Sequence, residues 1–181
     1  VLAEREAELA LLKRDIAPLK KVQAPFIRMT YEEALKELKK LGSDIEWGTD
    51  LGNDDETLIT KAHDRPIFIT RYPAAIKAFY MKPDPENGKL ALCADMLAPE
   101  GYGEVIGGSQ RIDELALLER RIDEHGLKRE DFEWYLDLRR YGSVPHSGFG
   151  IGLERTVAWM CGLDHVRETI AFPRMINRLR P

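Results

Sequence analysis

Gly103-Glu104-Val105-Ile106-Gly107-Gly108-Ser109-Gln110-Arg111 is the stretch on which the rest of the chain turns. Read as a strand, it places Val105 on one face and Glu104 and Ile106 on the other. Its paired glycines leave backbone bare enough for another surface to approach closely. An acid stands near its start and a base ends it. Further along, Gly148-Phe149-Gly150-Ile151-Gly152 leads directly into an apolar-periodic segment that carries Arg155. Two strand-like stretches therefore offer bare backbone flanked by charge.

Working outward, the neighbouring segments supply partners for that strand. Leu90-Ala91-Leu92-Cys93-Ala94-Asp95-Met96-Leu97 reads as a strand, and Ile76-Lys77-Ala78-Phe79-Tyr80-Met81 as another, with Pro, Asp, Asn and Gly between them as in an antiparallel hairpin. Ile67-Phe68-Ile69-Thr70 is a short apolar β-rich run after Pro66. Thr30 and Glu33 form a capping box ahead of Ala34, Leu35, Leu38 and Leu41, with Gly42 as the stop. Helices are also predicted from Val1 to about Ile16, ended by Pro18; from Asp54 to Ala62; around Leu115, Leu118 and Ile122; and from Glu130 to Arg140. A last one follows Gly152 and stops at Gly162. Trp134, Tyr135 and Trp159 fall on helical spacing with apolar neighbours and read as core. The predicted architecture is a single α+β domain over residues 1–181, an antiparallel sheet flanked by helices.

Bulk properties narrow the function. The chain has 181 residues, 44% hydrophobic and 8% aromatic, enough for a real core. A formal net charge of −4 gives no global basic field for nucleic acid, so such a contact needs a local patch or a further domain. Cys93 and Cys161 each sit in an apolar stretch, which suits free thiols in a reducing compartment; no His or Cys pair has zinc-ligand spacing. The absence of a signal peptide or membrane-length apolar run predicts a cytoplasmic protein without membrane contact. The opening Val1, within a helical pattern, is expected to lie inside a longer polypeptide.

The charges near the glycine strands read as ligands for a nucleotide and an amino acid. Asp95 and Glu104, on consecutive strands, either share one face as hard oxygen ligands for Mg²⁺ or stand as solvated acids. Arg111 offers a planar fork to a carboxylate or amide oxygen, or else makes a surface ion pair. Arg155, in the first turn of a helix after glycines, suits an anion held over bare backbone. His146 either contacts a ligand in the same cleft or is structural; Lys77 either points into a polar pocket or snorkels to solvent. The Lys-Ser/Thr of a P-loop and the spacing of a dinucleotide fingerprint are both missing.

Taken jointly, these pieces resemble the class II aminoacyl-tRNA synthetases, in their aspartyl and asparaginyl branch. Residues 103–111 look like that branch's acidic active-site strand, and Gly148-Phe149-Gly150-Ile151-Gly152-Leu153-Glu154-Arg155 like its third signature motif. The run Tyr135-Leu136-Asp137-Leu138-Arg139-Arg140-Tyr141-Gly142-Ser143-Val144-Pro145-His146 is similar too, in the same order, and the match extends over about 31–174. Within Tyr72-Pro73-Ala74-Ala75-Ile76-Lys77-Ala78-Phe79-Tyr80-Met81, Ala78 stands where aspartyl enzymes usually carry proline, which favours asparagine over aspartate.

The resemblance implies ATP and Mg²⁺, with Arg155, Gly152 and Glu104 at ATP, Asp95 and Glu104 on the metal, and Arg155 and Glu104 as the catalytic pair. It implies Arg111, His146, Gly148 and Gly150 around the amino acid. It also implies transfer to tRNA(Asn), and a homodimer formed through elements outside this chain. On the family pattern Val1 follows the first and second motifs and the anticodon-binding domain, so the chain is expected to be the C-terminal part of a catalytic domain and inefficient alone. Two other functions stay open: a synthetase-like asparagine synthetase using aspartate, ATP and ammonia, and a truncated paralogue serving as a binding module.

Overall fold

The structure, a computed structural model, describes residues 1–180. In chain order it contains α1 (Glu6–Leu11), α2 (Ala17–Lys20), β1 (Ile27–Thr30), α3 (Tyr31–Lys40), α4 (Asn53–Lys61), β2 (Ile67–Thr70), β3 (Cys93–Ala98) and β4 (Gly103–Gln110). Then follow α5 (Leu115–Glu124), α6 (Glu133–Arg140), β5 (Ser147–Ile151) and α7 (Leu153–Cys161). The five strands form one sheet in sequence order. Its pairs are antiparallel from β2 to β5, as predicted, but β1 and β2 run parallel. The crossover through α3 and α4 makes a parallel pair possible, because it returns the chain to the same end of the sheet before β2 begins.

The capping box is present in α3: the Thr30 hydroxyl accepts from the Glu33 amide at 3.2 Å, and the Glu33 carboxylate accepts from the Thr30 amide at 2.7 Å. Ala34, Leu35 and Leu38, spaced to share one helical face, pack with Ile59 of α4 on Ile67, Ile69, Cys93 and Leu97 of the sheet. Gly42 follows the helix at φ 95°, and the Ser43 amide closes back onto the Leu38 carbonyl at 3.0 Å. On the opposite face Met96, Ala98 and Val105 meet Leu9, Leu19 and Trp159. A third cluster, Ile112, Leu118, Ile122 and Leu136, joins α5 to α6.

Several expectations change. The N-terminal helix is short and breaks at Lys13, whose φ is 57°; Pro18 lies in the first turn of α2 rather than ending a long helix. The segment 76–81 is no strand: both edges of β3 are taken by β2 and β4, leaving isolated bridges such as Met81 to Arg111. Trp134 is 67% exposed, on the outer side of α6, whereas Trp159 is buried as expected.

The largest change lies in β4 itself. Between the pairs Met96–Ile106 and Leu97–Glu104 the strand holds one extra residue, Val105, a β-bulge. An uninterrupted period of two would keep Glu104 with Ile106. The bulge instead moves Glu104 to the face of Asp95 and Gly107, while Val105 and Ile106 both join the cluster around Met96.

Candidate active site

The face selected by the bulge carries the charges. A Cβ on Gly107 would lie 2.7 Å from Glu104 Oε1 and 3.4 Å from Asp95 Oδ1, so both carboxylates crowd one spot that only a bare α-carbon leaves free. Asp95 is buried and Glu104 half-buried. Burial pushes both carboxyls above their ordinary range; on Glu104 the neighbouring Asp95 charge adds to it, and on Asp95 the Lys77 ammonium opposes it.

Lys77 points into this pocket rather than to solvent. Its Nζ donates to Asp95 Oδ2 at 2.9 Å and to Asp50 Oδ1 at 3.2 Å, and it stands 3.8 Å from the centre of the Tyr72 ring. Asp50 is a site residue that the sequence reading missed, since it lies in a polar loop with no periodicity. That loop is pinned by Tyr31, whose hydroxyl donates to the Thr49 carbonyl at 2.6 Å and accepts from the Gly48 amide at 3.1 Å. Lys77 neutralises one oxygen of Asp95 and leaves Oδ1 beside Glu104. Two hard oxygens on adjacent strands fit Mg²⁺, which takes one or two carboxylates and completes its shell with water and phosphate. Among the described residues there is no group of three or more His, Cys, Asp and Glu placed to hold a metal ion.

At one end of the face, Gly152 caps α7 and donates its amide to the Val105 carbonyl at 2.8 Å. Arg155, one turn on, is exposed and donates through Nη1 to the Glu104 carbonyl at 2.7 Å, so its guanidinium overlies the acidic strand. A Cβ on Gly150 would meet nothing within 4 Å, which leaves an open floor between.

At the other end, Arg111 bonds the Ser109 hydroxyl and lies 4.8 Å from the centre of the Tyr80 ring. A Cβ on Gly148 would come within 2.8 Å of Arg111 Nη2, so glycine there makes room for the guanidinium. Arg111 also lines a cavity of about 300 Å³ with Phe79, Tyr80, Phe132, Trp134 and Tyr135. The Arg111 amide donates to the His146 carbonyl at 2.9 Å, which fixes the approach of His146. The exposed His146 ring keeps Nδ1 on the Val144 carbonyl at 2.7 Å, which assigns that nitrogen the proton and leaves Nε2 an acceptor, 3.5 Å from Nη2 of the buried Arg139. A larger trough of about 1000 Å³ lies against the opposite face, beside Phe68, Ala94, Ile106 and Phe149. It holds none of these carboxylates.

The fold brings together Asp95, Glu104, Gly107 and Lys77, with Arg155 and Gly152 at one end and Arg111, His146 and Gly148 at the other. An acidic pair on a bare strand with a guanidinium at each end sets oxygens that could hold a cation between donors that could hold anions. Residues 3–176 match the family model for class II tRNA synthetases (D, K and N), and the chain belongs to that family. It is 62% identical, over its whole length, to an asparagine–tRNA ligase of Desulforamulus reducens, of which it covers 42%, and 59% identical to one of Roseiflexus sp., again covering 42%. The chain thus spans about two fifths of these relatives. It also superposes with a TM-score of 0.96, at 53% identity, on the asparaginyl-tRNA synthetase of Pyrococcus horikoshii complexed with asparaginyl-adenylate, over 99% of this chain and 42% of that one.

Proposed function

We propose that this chain is the C-terminal part of the catalytic domain of an asparagine–tRNA ligase. In this reading it activates asparagine with ATP as the aminoacyl-adenylate and, joined to the rest of the polypeptide, charges tRNA(Asn). One observation carries the reading: Asp95, Glu104, Arg111 and Arg155 converge on one glycine-floored face only because a bulge turns Glu104 toward Asp95. The naming of the relatives and the adenylate in the Pyrococcus structure support asparagine as the substrate.

In the first step an oxygen of the asparagine carboxylate attacks the α-phosphorus; the bond to the β-phosphate oxygen breaks and pyrophosphate leaves. In the second, a hydroxyl of the tRNA's terminal ribose attacks the acyl carbon and AMP leaves with the bonding electrons. Neither step requires a protein nucleophile, so positioning and charge neutralisation dominate. Arg155 meets the ATP phosphates beside Glu104 and Gly152. Arg111, braced by Ser109 and Tyr80, takes the side-chain amide oxygen of asparagine, with His146, Gly148 and Gly150 around it. Asp95 and Glu104 would hold Mg²⁺, which when bound would supply charge neutralisation at the phosphates. The second arginine and the aromatic cover of the nucleotide belong to the family's second motif, and the homodimer contact to its first, in the remainder of the polypeptide. The free thiols Cys93 and Cys161 accord with the reducing cytoplasm. Among the described residues no helix is long and apolar enough to cross a membrane.

The test is pyrophosphate exchange by the full polypeptide with asparagine and with aspartate. Exchange with asparagine at least about a hundredfold above aspartate is expected, as a site that hydrogen-bonds an amide rejects a misfit strongly. Ammonia-dependent AMP formation from aspartate without tRNA would overturn the reading in favour of an asparagine synthetase, and no exchange with either amino acid in favour of a binding module.

A further inference from the structure

Three backbone groups at the bulge that aims Glu104 bond to residues outside β3 and β4. The Glu104 carbonyl accepts from Arg155 at 2.7 Å and the Val105 carbonyl from the Gly152 amide at 2.8 Å, both from the start of α7. The Glu104 amide donates to Oε2 of Glu56, on α4, at 2.9 Å. Glu56 is a half-buried acid forty-eight positions away in sequence, and neither step of the proposed reaction uses it.

Gly103, at φ 69°, completes the arrangement, because a Cβ there would collide with the Glu56 carboxylate. The chain thus gives up a side chain at 103 to let that carboxylate reach the amide of 104. Thr57, the next residue of α4, directs its hydroxyl toward the Gly101 carbonyl at 3.4 Å, so α4 touches the β3–β4 connection beside the same bulge.

We infer that Glu56 is a positioning residue for Glu104: by accepting the bulged amide it fixes the strand register that turns the Glu104 carboxylate toward Asp95, and through it the divalent-cation requirement of the nucleotide site. The inference rests on the functional reading above. Losing that acceptor leaves an amide unpaired at the point where the strand must hold an extra residue, and relaxation of the bulge returns Glu104 toward the face of Ile106.

A rival role, Glu56 as a cation ligand in its own right, makes a different demand. Positioning requires an oxygen acceptor, whereas ligation requires a charge. In the full polypeptide, Glu56→Gln keeps the acceptor and Glu56→Ala removes it. The expected result is that E56A raises the Mg²⁺ concentration for half-maximal asparagine-dependent pyrophosphate exchange by about tenfold or more, the scale on which supporting residues act. The KM for asparagine stays within about twofold, and E56Q restores the wild-type Mg²⁺ requirement. Hydrogen exchange read by mass spectrometry, without substrate, gives the second measurement: the 104 amide loses protection in E56A and keeps it in E56Q. Equal losses of Mg²⁺ affinity in both variants, or an unchanged requirement in E56A, overturn the inference. Should the wild type show no asparagine-dependent exchange, it is the functional reading that falls, and the 104 amide's protection in the two variants still decides the contact with Glu56.

Discussion

The two ends of the sheet are built for different ends. At β1 and β2, α3 and α4 close one face so tightly that Ala34, Leu38, Ile59, Ile67 and Ile69 have no exposure. At β5 the strand is mostly open, including Gly150 on the face of Asp95, and beside it two carboxylates are held next to each other with their protons favoured. The closed end gains stability by burying apolar surface, whereas the open end keeps charge beside bare, accessible backbone. One sheet serves both because β3 belongs to each: Leu97 and Cys93 face the closed core, and Asp95 between them faces the site.

That contrast can be broken from either side. Arg155→Ala in the full polypeptide should lower asparagine-dependent pyrophosphate exchange by about a hundredfold or more with the melting temperature unchanged, since loss of one transition-state donor acts on this scale. A matching drop in melting temperature would make the residue structural. Leu38→Ala at the closed end should do the reverse, costing about 2–5 kcal/mol in denaturant unfolding and leaving exchange per folded molecule intact.

A smaller effect is expected at Arg14, which ties the N-terminal segment to the β3–β4 connection and the end of α7. Its guanidinium bonds both oxygens of Glu100 at 2.9 and 2.7 Å and reaches the Trp159 and Met160 carbonyls at the C-terminus of α7 at 3.2 and 3.3 Å. Arg14→Met should cost about 1–3 kcal/mol by leaving Glu100 and those carbonyls unpaired. Unfolding curves that superpose on wild type would remove Arg14 as a tie.

The smallest expected effect on stability has the opposite sign. Glu104→Gln should weaken Mg²⁺-dependent nucleotide binding yet raise the melting temperature slightly at pH 7, by removing a charge that burial and Asp95 both disfavour. Because the folded carboxyl binds its proton more tightly than the unfolded one, the ionised form costs stability above its raised pKa; the cost fades as pH falls through that raised pKa and is gone below the ordinary value. The advantage of E104Q should therefore shrink on acidification from pH 7, as a melting series would record. An advantage that grows at low pH would refute the assigned shift.

Local chemistry made much of this legible. The Thr30–Glu33 box, the apolar face of α3, the stops at Gly42 and Gly162 and the two glycine strands depend on neighbours a few residues apart, and all stand in the structure. That Asp95, Glu104, Arg111 and Arg155 stand beside the two glycine strands was also readable, because the glycines expose backbone next to those charges. What the sequence could not decide is how these residues face. Alternation put Glu104 on the wrong side of β4, and only the bulge, its 104 amide bonded to Glu56 of α4, reverses it. Lys77 and Asp50 likewise join Asp95 only through a loop pinned by Tyr31. A bulge costs one residue of register and leaves no compositional trace, and the partners that hold it lie on elements far away in sequence. The chain's own order therefore determined which charges stand beside bare backbone, and tertiary packing alone determined the direction in which they point.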